Sequence, residues 1–271
     1  MSIAQLQPYY GFTRLPFRAS IAPAALYKSN AHQEARARIA FLVSQSALGL
    51  LTGEVGAGKT CAARAAVAAL DPSRHTIIYL PNPAIGARGI YTTIVSSLGG
   101  TPRFHKTALI PQAQELLARE RTERGKQVVL IVDEAHLLSA DQLEELRLLT
   151  NTEMDSQSPF AGLLLGQPSL RGRLRLGSFA ALDQRIALRY ELPGMDATET
   201  ADYLTHHLEL AGRNDRLFSD DATNLLHQTA RGIPRALNNL ATQALIAAYI
   251  EQKAIVDESS ARAAITEIMS Q

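Results

Sequence analysis

Residues 53–60 read Gly-Glu-Val-Gly-Ala-Gly-Lys-Thr and fit the spacing G-x-x-x-x-G-K-[ST]. Gly53, Gly56 and Gly58, with Glu54, Val55 and Ala57 between them, let successive backbone N–H groups curl around a β-phosphate. The helix that follows, opening with Thr60 and Cys61 after Lys59, points its positive end at the same anion. Lys59 then reaches the β- and γ-phosphates, and the Thr60 hydroxyl ligates Mg²⁺. Farther along, an aliphatic run at 128–132 ends in Asp133-Glu134. A buried strand with that ending delivers Asp133 to the metal. It brings Glu134 to where a carboxylate can orient and deprotonate an attacking water. An acidic pair would also suit a helix N-terminus, but beside a phosphate loop it has a chemical purpose. The two motifs together imply binding and hydrolysis of Mg-ATP.

Three further groups of polar residues fall where they could join that chemistry. Gln167 follows an apolar run at 161–165 and either holds the attacking water or is an ordinary turn residue. Arg171, Arg173, Arg175, Arg185 and Arg189 crowd one stretch, from which a neighbouring subunit's phosphate-stabilising finger would come. Arg185 is the first choice and Arg189 the second, while each taken alone reads more readily as a solvated charge. Arg235 follows Gly232-Ile233-Pro234 in the first turn of a helix. Proline suits that place, whereas a cation there opposes the helix dipole; contact with a γ-phosphate would explain it.

These residues need a frame, and the hydrophobic pattern supplies one. Short apolar runs at 48–52, 76–80, 128–132, 161–165 and 186–192 read as strands. Helical spacing fills 29–46, 60–70, 90–98, 111–124 and the stretch from Ser139 through Leu149, where Ser139 and Gln142 form a capping-box pattern. Residues 81–89 read as a loop, and 1–23, rich in aromatics and prolines, as an extended strap. Strands alternating with helices mean an α/β sheet, mostly parallel. After Pro193-Gly194 only helical patterns remain, about 196–211, 219–230, 234–252 and 257–269. The expected organisation is a strap (1–28), an α/β nucleotide-binding domain (29–193) and a four-helix lid (194–271).

Composition narrows the partners. The 271 residues are 46% hydrophobic and 20% charged, enough for a good-sized core and a smaller second one. The apolar runs are far shorter than a membrane span requires, and the first residues lack the pattern of a secretory signal. The single cysteine, Cys61, reads as a small buried residue in a reducing compartment. A cytoplasmic protein with no membrane segment is expected. The net charge of +1 confines any nucleic-acid surface to a local patch.

The residues quoted so far, with several others, resemble an AAA+ ATPase of the ExeA-like (general secretion pathway protein A) branch, which includes transposon-encoded ATPases. The likeness rests on Tyr10-Gly11-Phe12, Pro16-Phe17, Leu26-Tyr27, His32, Glu34, residues 50–60, Val132-Asp133-Glu134-Ala135-His136, Gly166-Gln167-Pro168 and Gly232-Ile233-Pro234-Arg235, in the family's order. It implies a P-loop NTPase core with a five-stranded parallel sheet, a C-terminal helical lid, and ATP between them near a subunit interface. It assigns sensor roles to Gln167 and Arg235, and places Phe17 and Tyr27 near the adenine, where they read equally as core residues. Secretion-type members continue into a transmembrane helix and a cell-wall-binding region. Neither follows here, which points toward the short ATPases that assemble on double-stranded DNA as rings or helical filaments and hand target DNA to a DDE transposase. In that layout the segment after the second strand meets DNA, making Arg88, Thr101, Arg103, His105, Lys106 and Thr107 the candidate contacts. The alternatives are a secretion-complex assembly ATPase and a nucleotide-gated scaffold; Glu134 counts against the latter, since a pure switch needs no water-activating carboxylate.

Overall fold

The computed structural model describes residues 5–18, 21–151 and 158–270; residues 1–4 and 19–20 of the expected strap lie outside these. In chain order the elements are α1 (Leu6–Tyr9), α2 (Asn30–Ser44), β1 (Leu48–Thr52), α3 (Lys59–Val67), β2 (His75–Leu80), α4 (Gly86–Ser97), α5 (Lys106–Thr122), β3 (Gln127–Val132), α6 (Ala140–Leu149), β4 (Phe160–Gly166), α7 (Pro168–Leu174), α8 (Ala180–Asp183), β5 (Ile186–Glu191), α9 (Ala197–Leu210), α10 (Asp220–Ala230), α11 (Pro234–Ile250) and α12 (Glu258–Met269).

The five strands form one parallel sheet in the order β2-β3-β4-β1-β5. The strands flanked on both sides are continuous apolar runs: β1 and β4 are buried at every residue, and β3 at all but Gln127. The edge strand β5 instead alternates, with Ile186 in and Ala187, Arg189 and Glu191 out. Because β4 lies between β1 and β3, three strands that run the same way deliver residues 53, 133 and 167 to one edge of the sheet. Ligand crevices in open α/β sheets lie at such carboxyl ends.

Several boundaries differ from the sequence reading, each for a local reason. The segment at 81–89 is not all loop: Asn82 accepts from Ala84 N at 2.9 Å, capping a short 3₁₀ turn, and α4 begins at Gly86. Pro111 does not open its helix but sits inside α5, where it forfeits the bond its amide would make to the preceding turn. Helix α3 gives way after Val67 to tight turns, with Leu70 N bonded to Val67 O at 3.0 Å. The expected extended strap contains the helical turn α1 and a 3₁₀ turn at Pro23–Ala25. Helices α7 and α8, between β4 and β5, were not expected.

The chain forms two compact units. One, residues His32–Glu54 and Lys59–Leu192, holds the sheet; its core joins Leu50, Ile78, Leu80, Leu130, Val132 and Leu164 of the strands to Ile90, Ile94, Leu109 and Leu146 of the helices. The other comprises Met1–Ala31, Val55–Gly58 and Pro193–Gln271. Its core is leucine- and alanine-rich, with Leu204, Leu226, Leu237 and Leu245 beside Ala241, Ala244, Ala261 and Ala264. Leu6, Tyr10, Phe12 and Phe17 are buried in that same core. Capping boxes fix two helix starts: Ser139 with Gln142, and Asp196 with Glu199. No helix of the described residues is long and apolar enough to cross a membrane.

Candidate functional site

The Thr60 hydroxyl in the first turn of α3 donates to Asp133 Oδ2 at 2.8 Å, across 73 residues of sequence. The same oxygen accepts from the Tyr79 hydroxyl at 2.9 Å, and Asp133 Oδ1 accepts from Glu134 N at 2.9 Å. The Asp133 carboxylate is thus buried and oriented by three donors. Burial, donation to Asp133 and the charges of Asp133 and Glu134 push the Tyr79 phenol up to about 12, so it remains a neutral donor. Lys59 Nζ, also buried, donates to Gly53 O at 2.8 Å and Glu54 O at 2.9 Å, spanning the root of the loop. Gly56 and Gly58 have φ of 83° and 96°, which permit the tight curl. A hydroxyl and a carboxylate oxygen side by side form the donor set that Mg²⁺ takes when phosphates and water complete its shell. Among the described residues no group of three or more His, Cys, Asp or Glu is arranged to hold a metal by itself. Cys61, beside Thr60, is half-buried rather than buried.

Glu134 adopts φ 50°, ψ 35°, a left-handed conformation that costs a non-glycine residue about 1–3 kcal/mol and concentrates at functional sites. Its side chain is 54% exposed, and His136 Nδ1 lies 3.4 Å from its Oε2. Nothing in the sequence assigns a chemical role to Tyr79 or His136. Gln167 is the N-cap residue of α7, yet its side chain makes no capping hydrogen bond; its amide therefore remains available at the end of β4.

The arginine-rich stretch is mostly tied to its own chain. Arg185 donates to Thr150 Oγ1 at 3.1 Å, Arg189 pairs with Asp183 at 2.9 Å, and Arg171 pairs with Glu191 at 3.1 Å. Arg173 donates to His136 O at 3.3 Å and Leu138 O at 2.5 Å, bracing the turn after Glu134. The exposed Arg175 side chain has no partner among the described residues.

In the helical unit, Arg235 is placed by close packing. Its backbone N bonds to Gly56 O at 3.3 Å, and a Cβ on Gly56 would stand 2.5 Å from Arg235 Cβ. The turn before it is equally tight: Gly232, at φ 67°, has room for no Cβ, which would fall 1.9 Å from Met195 O. The Arg235 guanidinium is exposed and without a partner among the described residues. Phe17 is buried, stacks on His207 at 5.3 Å and lines a small pocket with Arg14, His207 and Leu210. Tyr27 packs edge-on against Tyr203 at 5.7 Å.

The six candidate DNA contacts divide. Lys106 forms an ion pair with Glu145, which offsets its charge. Thr101 is held through its carbonyl by Gln112. Thr107 and His105 are exposed at the start of α5. Arg88 donates to the carbonyls of Phe104 and Arg103, and the exposed Arg103 guanidinium has no partner among the described residues.

Sheet order and phosphate loop define the class: a P-loop ATPase with the AAA+ core, whose ligands are ATP and Mg²⁺. Residues 43–174 match the family model described as an AAA domain. The chain is 35% identical over 245 residues to general secretion pathway protein A of Aeromonas hydrophila, an ExeA-like relative; the match covers 89% of this chain and 44% of that protein, less than half its length. Among solved structures, the ORC2 protein of Aeropyrum pernix in ADPNP–ADP complexes superposes with a TM-score of 0.64 at 18% identity, over 96% of this chain and 71% of its own. Drosophila ORC bound to DNA gives 0.67 at 18%, over 100% and 68%. Likeness at that identity establishes the fold alone.

Proposed function

We propose that this chain is a DNA-directed ATPase that assembles on duplex DNA as a ring or filament of its own copies and selects or delivers target DNA to a DDE transposase. The apposition of Thr60 and Asp133 at 2.8 Å carries the hydrolytic half of this reading. The half concerning DNA is supported by the exposed guanidinium of Arg103, which has no partner among the described residues, beside Arg88.

Bound Mg²⁺ would neutralise charge on the β- and γ-phosphates. Around it, Thr60 and Asp133 hold the ion, and Tyr79 fixes the carboxylate's orientation. The amides of residues 53–60 and the Lys59 ammonium bind phosphate oxygens. Glu134 accepts the proton of the attacking water, the Gln167 amide orients that water, and Arg235 contacts the γ-phosphate. An arginine from the neighbouring subunit, Arg185 in the first instance, stabilises charge on the transferring group. Its bond to Thr150 must then open on assembly; Arg175, already exposed, is the competitor.

Light scattering and electron microscopy of the protein with ATP and duplex DNA at low salt test the reading: assembly is expected, and its absence ends the transposition assignment. Mixing Arg185→Ala with Lys59→Ala subunits should restore part of the hydrolysis, because an intact finger then meets an intact pocket; no rescue removes Arg185 from the role. The 35% identity to general secretion pathway protein A favours a second reading, assembly of an envelope complex with a separate membrane partner. Under that reading duplex DNA leaves hydrolysis unchanged.

A further inference from the structure

Phe104 is the most exposed large hydrophobic residue among those described, at 80%. It is held out firmly. Gln112 of α5 donates to Thr101 O at 2.9 Å and accepts from Arg103 N at 3.0 Å. Arg88 of α4 donates from Nε to Phe104 O at 3.2 Å and from Nη2 to Arg103 O at 3.4 Å, while its guanidinium carbon lies 5.6 Å from the centre of the Phe104 ring. His105, the residue before α5, packs edge-on against the ring at 5.1 Å. Two helices thus fix the backbone on both sides of a ring that joins no core. Burial is what such a ring gains from folding, so a braced and exposed one is preorganised for a partner.

The surrounding charge indicates which partner. Arg88, Arg103 and His105 rim the ring, and the nearby Glu145 is occupied by Lys106 and by the Tyr91 hydroxyl. An apolar tip flanked by the guanidinium groups of Arg88 and Arg103 complements a polymer with anionic edges and a stacked aromatic interior. We infer that Phe104 is a wedge set against, and partly into, a base step of duplex DNA from the minor groove, with Arg103 and Arg88 on the flanking phosphates. This rests on the DNA reading above. Wedges of this kind unstack and kink a step, and the deformation is smallest at flexible pyrimidine–purine steps. The wedge therefore gives a chain that binds chiefly through phosphates a preference among targets.

The probe is a short labelled duplex carrying several 2-aminopurines, whose emission rises on unstacking, titrated with wild type, Phe104→Ala, Phe104→Leu and Arg103→Ala in the presence of ATP. Wild type should bind and raise the emission. Phe104→Ala should bind roughly ten- to a hundredfold more weakly, with the emission rise gone and the dependence of affinity on salt unchanged. Phe104→Leu should keep the rise, since an aliphatic wedge also unstacks. Arg103→Ala should flatten the salt dependence by about one ion. Binding and unstacking by Phe104→Ala equal to wild type would overturn the wedge and assign the ring to a protein contact. A wild-type protein that hydrolyses ATP but binds no duplex would overturn the DNA reading itself, and the wedge with it.

Discussion

The two compact units position their functional groups by opposite means. In the sheet-bearing unit, side chains hold one another: Thr60 and Tyr79 converge on one oxygen of Asp133, and Lys59 ties the loop's carbonyls. In the helical unit, Arg235 is placed by backbone contact through Gly56 and Gly232, with no hydrogen bond to its guanidinium among the described residues. Groups held by hydrogen bonds can be replaced at the expense of chemistry while the fold survives. Groups held by close backbone approach fail through the fold.

The largest expected effect tests the first half of that contrast. Glu134→Gln should lower the turnover of ATP by about 10²- to 10⁴-fold, with nucleotide binding retained and the melting temperature nearly unchanged; Lys59→Ala should lose nucleotide binding. Phosphate release and fluorescent-nucleotide titration measure both. Full turnover in Glu134→Gln would remove the assignment of the base.

Gly232→Ala tests the second half. A methyl 1.9 Å from a carbonyl oxygen, on a backbone at φ 67°, should destabilise the helical unit by about 2–4 kcal/mol. Thermal melting would show it, and an unchanged melt would mean that the turn has slack and the contrast is false.

Acid sensitivity separates the units next. Burial in α9, followed by the proximity of His206, pushes the His207 imidazole down to about 4 from its usual 6.5. The unfolded chain therefore takes up the proton first, and stability falls as pH drops from 6.5 toward 4, by up to roughly 3 kcal/mol. Above pH 6.5 the contribution is level. Melting curves across that range should show the helical unit weakening, and His207→Leu should flatten the loss.

Tyr79→Phe is the mildest. Losing one neutral donor to a carboxylate that keeps two others should cost about 1 kcal/mol. The concentration of Mg²⁺ that half-supports nucleotide binding should rise about fivefold, and an unaltered requirement would make the Tyr79 bond incidental.

Much of this architecture was legible in the residues. The run at 128–132 is aliphatic throughout, and that at 48–52 nearly so, because both faces of their strands are covered, and the phosphate loop needs glycine where φ is positive. The capping boxes at Ser139 and Asp196 mark their helices locally. What was not legible depends on partners far away in the chain. Nothing in the run 76–80 marks Tyr79; only the pairing that sets Tyr79 opposite Ile131 brings its hydroxyl to Asp133. The five arginines look alike in sequence and are told apart by Thr150, Asp183, Glu191 and the carbonyls of His136 and Leu138. Nothing in the sequence singles out Phe104; Gln112 and Arg88, which hold the backbone beside it, are what set its ring apart.

The burial of Leu6, Tyr10, Phe12 and Phe17 among helices that begin after residue 193 has a consequence for biosynthesis. The Tyr10 hydroxyl bonds to Lys253 O, 243 positions later. At ribosomal speeds of about 5–20 residues per second, its partner emerges roughly ten to fifty seconds after it. The sheet-bearing unit can fold within that interval, whereas three aromatic rings wait in water for their neighbours. Nascent chains of this protein therefore expose a sticky aromatic segment that a holdase would shield, and stalling translation between residues 192 and 250 should leave a nucleotide-binding body with residues 6–17 prone to aggregate.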